Sequence, residues 1–283
     1  MTAATTASLL ARAREALAGT DAGRLPVARP GTDAEVLLAH LLGVSRAHLL
    51  AHPEEPVTRA TAARYAALLR RRAAGEPVAY LTGRREFWSL ELSVDAAVLV
   101  PRPETELLVE RALQLLPATA ARVADLGTGS GAIALALARE RPAWQVLATD
   151  VSRAALETAR RNARALGLEA LELRHGDWYQ ALGGERFDLI VSNPPYVAAG
   201  DPALAALRHE PQLALTPGGD GFAALHTLAH GALSHLQPGG WLLLEHGATQ
   251  GARLRAALVR SGLRHVRSHP DLSGHERATE GQR

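Results

Sequence analysis

Apolar residues in the first 75 positions recur at helical spacing. The stretches SLLARAREALA (8–18), DAEVLLAHLLG (33–43) and TRATAARYAALLRRRAAG (58–75) each gather them on one face. Ser8, Asp33 and Thr58 are candidate caps, and Gly43 and Gly75 stop the last two. This predicts a small helical domain over residues 1–75. From Glu76 to Val100 the rhythm changes. VAYLTGRREFWSLELSVDAAVLV carries aromatic and β-branched residues in short alternating runs around a glycine, which predicts a β-hairpin connector over 76–100. PRPETELLVERALQLL then opens a helix, with Pro103 and Glu104 suited to its first turn. Beyond Arg122 the strand-like runs RVADLG, WQVLATD, LELRHGD, FDLIVSNPPY and WLLLEHG alternate with amphipathic stretches such as RAALETARRNARALG. That alternation predicts an α/β fold over 101–283, a doubly wound and mostly parallel sheet. The segment LRHVRSHPDLSGHERATEG suits a closing antiparallel pair.

Composition narrows the chemistry. A chain of 283 residues, 47% hydrophobic, can bury a real core. No apolar run approaches the roughly 20 residues that span a bilayer, and MTAATTASLLARAREALAG lacks the uninterrupted apolar segment of a secretory signal. A cytoplasmic protein with no membrane partner is expected. The absence of cysteine excludes thiol nucleophiles, disulfides and cysteine-ligated zinc. All 31 basic residues are arginine, which excludes phosphate-loop and Schiff-base lysines; GC-rich coding, with the abundance of alanine, is the simplest account. A net charge of +2 gives no argument for nucleic acid. Residues 1–85 hold twelve arginines against seven acidic residues, a local +5. Such a part can meet an acidic or phosphate-bearing partner, although a solvated arginine face such as LLRRRAAG is the simpler reading. His226 and His230 share a helical face but have no evident third ligand, so no metal is expected. Glu245, at the end of LLLEHG, is read as a structural hydrogen-bonding group.

In an open α/β sheet, ligands bind beyond the carboxyl ends of the strands. Three such ends carry polar residues. DLGTGSG places Gly127, Thr128, Gly129, Ser130 and Gly131 where glycines allow close backbone approach and a helix start offers N–H groups to an anion. A tight strand-to-helix turn that binds nothing is the alternative, and G-x-G-x-G departs from the dinucleotide spacing G-x-G-x-x-G. Asp150 ends WQVLATD, where a carboxylate can accept from both hydroxyls of a ribose, or else cap the next helix through DVSRAA. Asp177 and Trp178, in HGDWY, suit an adenine amino group and its ring, with plain packing the alternative for the indole. Together the three ends describe a nucleoside with an acidic tail near the glycines, and S-adenosylmethionine fits.

SNPPYV follows FDLIV. Prolines cannot donate to a sheet ladder, so the strand must stop, leaving Asn193 at its carboxyl end. Asn193 and the carbonyl of Pro194 can accept both N–H bonds of a planar amino group and hold its nitrogen against the methyl of a sulfonium. Carbonyl dipoles around the nitrogen would favour the charge that develops there. Tyr196 is expected to wall or stack on the substrate plane. An ordinary proline-rich loop is the alternative.

NPPY after a strand resembles the motif of amino methyltransferases acting on planar amides or exocyclic amines. GEPVAYLTGRREFWSLELSVDAAVLVPRPETELLVE, DLGTGSGAIALALA, SNPPYV, RHEPQLAL, GGDGFAAL, LLLEHG and DLSGHERAT together resemble the peptide chain release factor glutamine methyltransferases of the PrmC or HemK type. The resemblance runs from about Gly75 to the end. It implies a class I, Rossmann-like methyltransferase sheet and methyl transfer from S-adenosylmethionine to the GGQ glutamine of class 1 release factors, leaving S-adenosylhomocysteine. By motif match, Gly127–Gly131, Asp150, Trp178 and Asn193 become cofactor positions and Asn193–Tyr196 the glutamine pocket. It also implies that the amino-terminal helices contact the release factor. A monomer needing no direct nucleic acid is expected. His209 and His275 depart from the family pattern. A ribosomal-protein glutamine methyltransferase, a DNA adenine methyltransferase and a noncatalytic nucleoside-binding module stay open as alternatives.

Overall fold

The computed structural model describes residues 4–18 and 29–283; positions 1–3 and 19–28 of the expected helical domain and of the amino-terminal stretch lie outside them. The chain divides into two units, Met1–Gly83 and Arg84–Arg283.

Among its described residues the first unit holds a two-residue strand pair, β1 (Ala4–Thr5) and β2 (Pro56–Val57), and five helices: α1 (Thr6–Ala18), α2 (Pro30–Leu42), α3 (Arg46–Ala51), α4 (Arg59–Ala73) and α5 (Val78–Thr82). Its core collects Leu10, Leu17, Leu37, Leu38, Leu49 and Tyr65, and the Tyr65 hydroxyl donates to the Ala34 carbonyl at 2.9 Å. Thr58 caps α4 as expected, its side chain accepting from Thr61 N, and Gly43 ends α2 in the left-handed region. Asp33 instead lies in the first turn of α2, and α1 begins before Ser8. Buried Glu35 accepts from both Arg14 and Arg46, and Arg72 pairs with Asp33 at 2.7 Å. Part of the basic excess is thus spent internally. The connector differs from expectation, because VAYLT is the short helix α5. Pro77 pre-sets the entry and Gly83, at φ +72°, closes the turn before an extended run can start.

The second unit opens with a hairpin, β3 (Arg84–Phe87) and β4 (Leu90–Ser93). Its two-residue turn puts Trp88 and Ser89 at positive φ, as a type I′ turn requires, and Trp88 N donates to Glu106 at 2.8 Å. A single turn at Pro103–Thr105 leads into α6 (Glu106–Leu115). There follow β5 (Arg122–Leu126), α7 (Ala132–Glu140), β6 (Gln145–Asp150), α8 (Arg153–Ala165), β7 (Glu172–His175), β8 (Phe187–Ser192), α9 (Ala203–Ala206), α10 (Ala223–His235), β9 (Leu236–Glu245), α11 (Gly251–Arg260), β10 (Arg264–Pro270) and β11 (Glu276–Gln282).

Seven strands form one sheet in the order β10-β11-β9-β8-β5-β6-β7. The five from β9 to β7 are parallel, and the antiparallel pair β10 and β11 closes the edge beside β9. Successive residues of the central strands face opposite cores. Val123, Leu189, Val191 and Leu243 pack with α6 and α7, whereas Ala124, Ile190, Leu242 and Leu244 pack with α10 and α11. Burial on both faces explains why these strands read as unbroken apolar runs. The chain leaves β5 towards β7, then returns to place β8 on the other side of β5. A crevice opens at that reversal, at the carboxyl ends of the strands.

Candidate active site

Gly127 N and Thr128 N both donate to the Thr149 carbonyl at 2.9 Å, folding the turn after β5 onto the end of β6. Gly131 stands at φ +86°, and a Cβ there would meet Leu135 at 2.9 Å and Ala159 at 3.3 Å, so only glycine lets α7 start this close to α8. Asp150 is held from two sides: Oδ2 accepts from Gly129 N at 2.9 Å and Oδ1 from Ser152 N at 2.8 Å. Burial pushes its pKa up, against these backbone bonds. The cap of α8 is Ser152 rather than Asp150. Asp177 is exposed just before the turn Trp178–Leu182, and the Trp178 ring both packs on the α10 side of the sheet and lies against Gly127. Packing and site lining are therefore both true of Trp178.

Asn193 directly follows β8. Its Nδ2 donates to Thr105 Oγ1 at 3.0 Å, which leaves Oδ1 as the acceptor end of the amide. Gly127, Thr128, Gly129, Ser130, Asp150, Asp177, Trp178, Asn193 and Pro195 line one cavity of about 340 Å³, joined by Arg102, Thr105 and Leu213, which were not expected. Gly131 and Pro194 are buried, each between two chain neighbours that line it. Tyr196 is placed otherwise than expected. It does not line the cavity, because its hydroxyl donates inward to Glu245 Oε1 at 3.1 Å and its ring joins the core beneath. A larger cavity, about 550 Å³, sits among Arg122, Gln145, Glu172 and Phe187 at the strands' amino ends, away from these residues.

Several residues that shape the site were given no role from the sequence. Glu210, in RHEPQLAL, accepts from Val100 N at 3.0 Å and pairs with Arg102, tying the segment before α6 to the cavity rim. Asn162, on α8, donates to the Ser130 and Ser93 carbonyls and accepts from Ser93 N, joining the glycine turn to the hairpin. Asp125, the last residue but one of β5, is fully buried and accepts from the Thr128 hydroxyl at 2.6 Å; burial raises its pKa to about 7.

Glu245 does have the structural bond expected of it, but more besides. It is 2% exposed, its Oε2 has no hydrogen-bond partner among the described residues, and burial raises its pKa to about 7 against the lowering effects of the Thr105 and Tyr196 hydroxyls. The folded carboxyl keeps its proton up to about pH 7, whereas the unfolded chain releases it near 4.5. Its contribution to stability is therefore full below pH 4.5 and lost as pH rises to about 7, a change on the order of 3 kcal/mol. Glu245→Gln should unfold at a higher temperature than the native chain at pH 8 and at nearly the same temperature at pH 5. Asp125 titrates in both proteins and cancels from the comparison. Equal melting temperatures at both pH values would mean that the charge is well compensated.

A cavity with a glycine turn on one side, an acidic strand end on another and Asn193 and Pro195 of an Asn-Pro-Pro-Tyr segment on the third, on this sheet, defines a Rossmann-like methyltransferase. Residues 103–224 match the methyltransferase small domain and residues 8–83 the PrmC N-terminal domain. A methyltransferase of Pyrococcus furiosus shares the fold, with a TM-score of 0.52 at 20% identity over 68% of this chain and 88% of that one. Release factor glutamine methyltransferase of Xylella fastidiosa is 57% identical over 253 residues, 88% of this chain and 92% of the relative. Its counterpart in Burkholderia pseudomallei is 52% identical over 259 residues, 88% and 91% of the two. The chain belongs to the release factor glutamine methyltransferase family.

Proposed function

We propose that this protein transfers a methyl group from S-adenosylmethionine to the side-chain amide nitrogen of the GGQ glutamine of class 1 peptide chain release factors, in the cytoplasm and as a monomer. The relatives' names, release factor glutamine methyltransferase, support methyl transfer to a glutamine of a release factor. The observation that carries the reading is the Asn193 amide, pinned through Nδ2 at the mouth of a strand end so that its oxygen serves the cavity.

The residues present fit the cofactor. Asp150 keeps lone pairs for two ribose hydroxyls beyond its two backbone bonds. Asp177 makes no capping bond and is available to an adenine amino group, with the Trp178 indole beside it. Ala132 and Ile133, in the first turn of α7, line the cavity and bring N–H groups without helical partners for a carboxylate. When bound, S-adenosylmethionine supplies an electrophilic methyl carbon on its sulfonium. Asn193 Oδ1 and the Pro194 carbonyl accept the two N–H bonds of the glutamine amide and fix its plane. Their dipoles also favour the positive charge that develops on its nitrogen, so no strong base is required to raise its reactivity. Arg59, Arg64 and Arg70, exposed on α4 and without an ion pair among the described residues, are among the basic groups left to meet the factor.

Methyl-labelled S-adenosylmethionine, incubated with the protein and a release factor, should label the factor. It should leave unlabelled a factor whose GGQ glutamine is replaced. Label on a ribosomal protein or on duplex DNA in place of the factor would overturn the reading.

A further inference from the structure

His48 lies on α3, His52 caps the carboxyl end of that helix, and Glu55 follows in the loop before β2. Four positions apart on a helix, the two histidines share a face, and their rings stack with centroids 4.3 Å apart. His48 Nε2 stands 3.1 and 3.2 Å from the two oxygens of the Glu55 carboxylate. One ligand atom from each of the three side chains falls within 4.8 Å of the others, the one such group among the described residues. His226 and His230 also stack, but they gain no third ligand there. The backbone that carries the three is fixed. Ser45 caps α3 by accepting from His48 N at 3.1 Å, and Leu49 anchors the helix in the core. His52 N donates to His48 O at 3.0 Å and Glu55 N to His52 O at 3.3 Å. The start of α1 holds the same loop: the Thr6 hydroxyl donates to His52 O at 2.8 Å, Thr6 N to Glu55 O at 3.0 Å and Ala7 N to Pro53 O at 2.9 Å.

We propose that His48, His52 and Glu55 form a zinc site, with water as the fourth ligand, that staples α3 to the loop before β2. The site lies within the amino-terminal unit and does not depend on the function proposed above. Zinc fits by chemistry and by size. Two imidazoles beside one carboxylate suit a borderline-soft ion, whereas magnesium and calcium take oxygen ligands. Bonds of about 2.0–2.1 Å arranged as a tetrahedron set neighbouring ligands about 3.3 Å apart. His48 and Glu55 therefore already stand at the separation that an ion between them requires. Only His52 has to draw closer, and its side chain is exposed. Its tautomer is already chosen. His52 Nδ1 lies 3.0 Å from the His48 carbonyl, which can only accept, so Nδ1 carries the hydrogen and the neutral ring keeps its lone pair on Nε2. A ring N–H held by a backbone carbonyl is the support that zinc-binding histidines ordinarily have. An exposed ion pair of His48 with Glu55, the plainer reading, gives His52 no part and the chain no affinity for a metal there.

Calorimetric titration of the full-length chain, free of any affinity tag, with zinc chloride tests the proposal. The native chain should bind one ion that the triple variant His48→Gln/His52→Gln/Glu55→Gln does not bind, and magnesium chloride should not compete for it. His48→Gln, His52→Gln and Glu55→Gln should each weaken zinc by at least about tenfold, the least that losing even a supporting group costs. His226→Gln/His230→Gln, which removes the two-ligand pair, should leave the affinity within about twofold. The three side chains stand at the surface, so the variants should keep the fold, and far-ultraviolet circular dichroism checks this. Saturating zinc should raise the melting temperature of the native chain and not that of the triple variant, because an ion that binds the folded chain favours it. It should also slow hydrogen exchange at the amides of Thr6, Ala7 and Glu55, whose bonds hold the loop. Equal zinc binding by the native chain and the triple variant would overturn the inference. So would native affinity in His52→Gln, which would reduce the cluster to an ion pair of His48 with Glu55.

Discussion

Asn193→Ala should retain S-adenosylmethionine with at most a modest loss of affinity and lose roughly 10² to 10³ in kcat. The asymmetry follows from where the residue stands. The positions proposed for the cofactor are spread over the glycine turn, Asp150, Asp177 and Trp178, which line the cavity from the ends of β5 and β6 and after β7, so one missing side chain at the end of β8 removes a small share of them. The reacting nitrogen has no such redundancy. An amide lone pair is delocalised, and its reactivity depends on holding both N–H bonds against fixed acceptors while charge grows on nitrogen. Removing Oδ1 takes one of the two. Removing Nδ2 also strips Thr105 of its donor, so the turn before α6 loses its bond to the strand end. Steady-state kinetics on a release factor beside calorimetry of cofactor binding will show the split. Unchanged turnover would remove Asn193 from the reaction.

The parts of this protein that could be read from the chain are those whose reasons are local. Strand ends carry their own polar residues, so Asp150, Asp177 and Asn193 announced themselves by following apolar runs, and the structure brings all three to one cavity. The doubly wound order was legible because parallel strands buried on both faces give continuous apolar segments between amphipathic helices. What escaped was pairing across distance. Thr105 meets Asn193 across 88 positions, Glu210 meets Val100 across 110, and Asn162 meets Ser93 across 69. No periodicity encodes such pairs. VAYLT misled for a different reason, since β-branched and aromatic residues also suit a short helix when proline and glycine bracket it. Tyr196 misled because its neighbours do line the cavity; only the buried carboxyl at the end of β9, visible once the strands are side by side, explains why its phenol turns inward.

The rim of the site is held by a few bonds between loops, and the most demanding of them can be tested. Gly221 stands at φ +80°, and a Cβ there would fall 2.3 Å from the Tyr196 carbonyl oxygen and 2.9 Å from Ala198 N. Both are backbone atoms, so no rotamer change relieves the contact. The two strands of loop are also tied together: Gln250 Nε2 donates to the carbonyls of Tyr196 and Gly221, Val197 N donates to Leu215 O, and Ala199 N to Gly219 O. Alanine at 221 must therefore either break these bonds or push the segment after Pro195 outward. The left-handed backbone alone costs about 1–2 kcal/mol, and with the displaced bonds the loss of stability should be on the order of 3 kcal/mol. Turnover should fall further than stability explains, because a shift of about 1 Å at a clamp can cost about 10²-fold in rate. Gly219 provides the control. It too has a positive φ, +55°, but a Cβ there has nothing within 4 Å. Gly219→Ala should therefore lose only about 1 kcal/mol and keep its kcat. Denaturant unfolding and kinetics on the folded fraction of both variants decide the matter. If Gly221→Ala kept native turnover, the loop would have to yield without moving Asn193, and the clamp would not depend on these bonds of the rim.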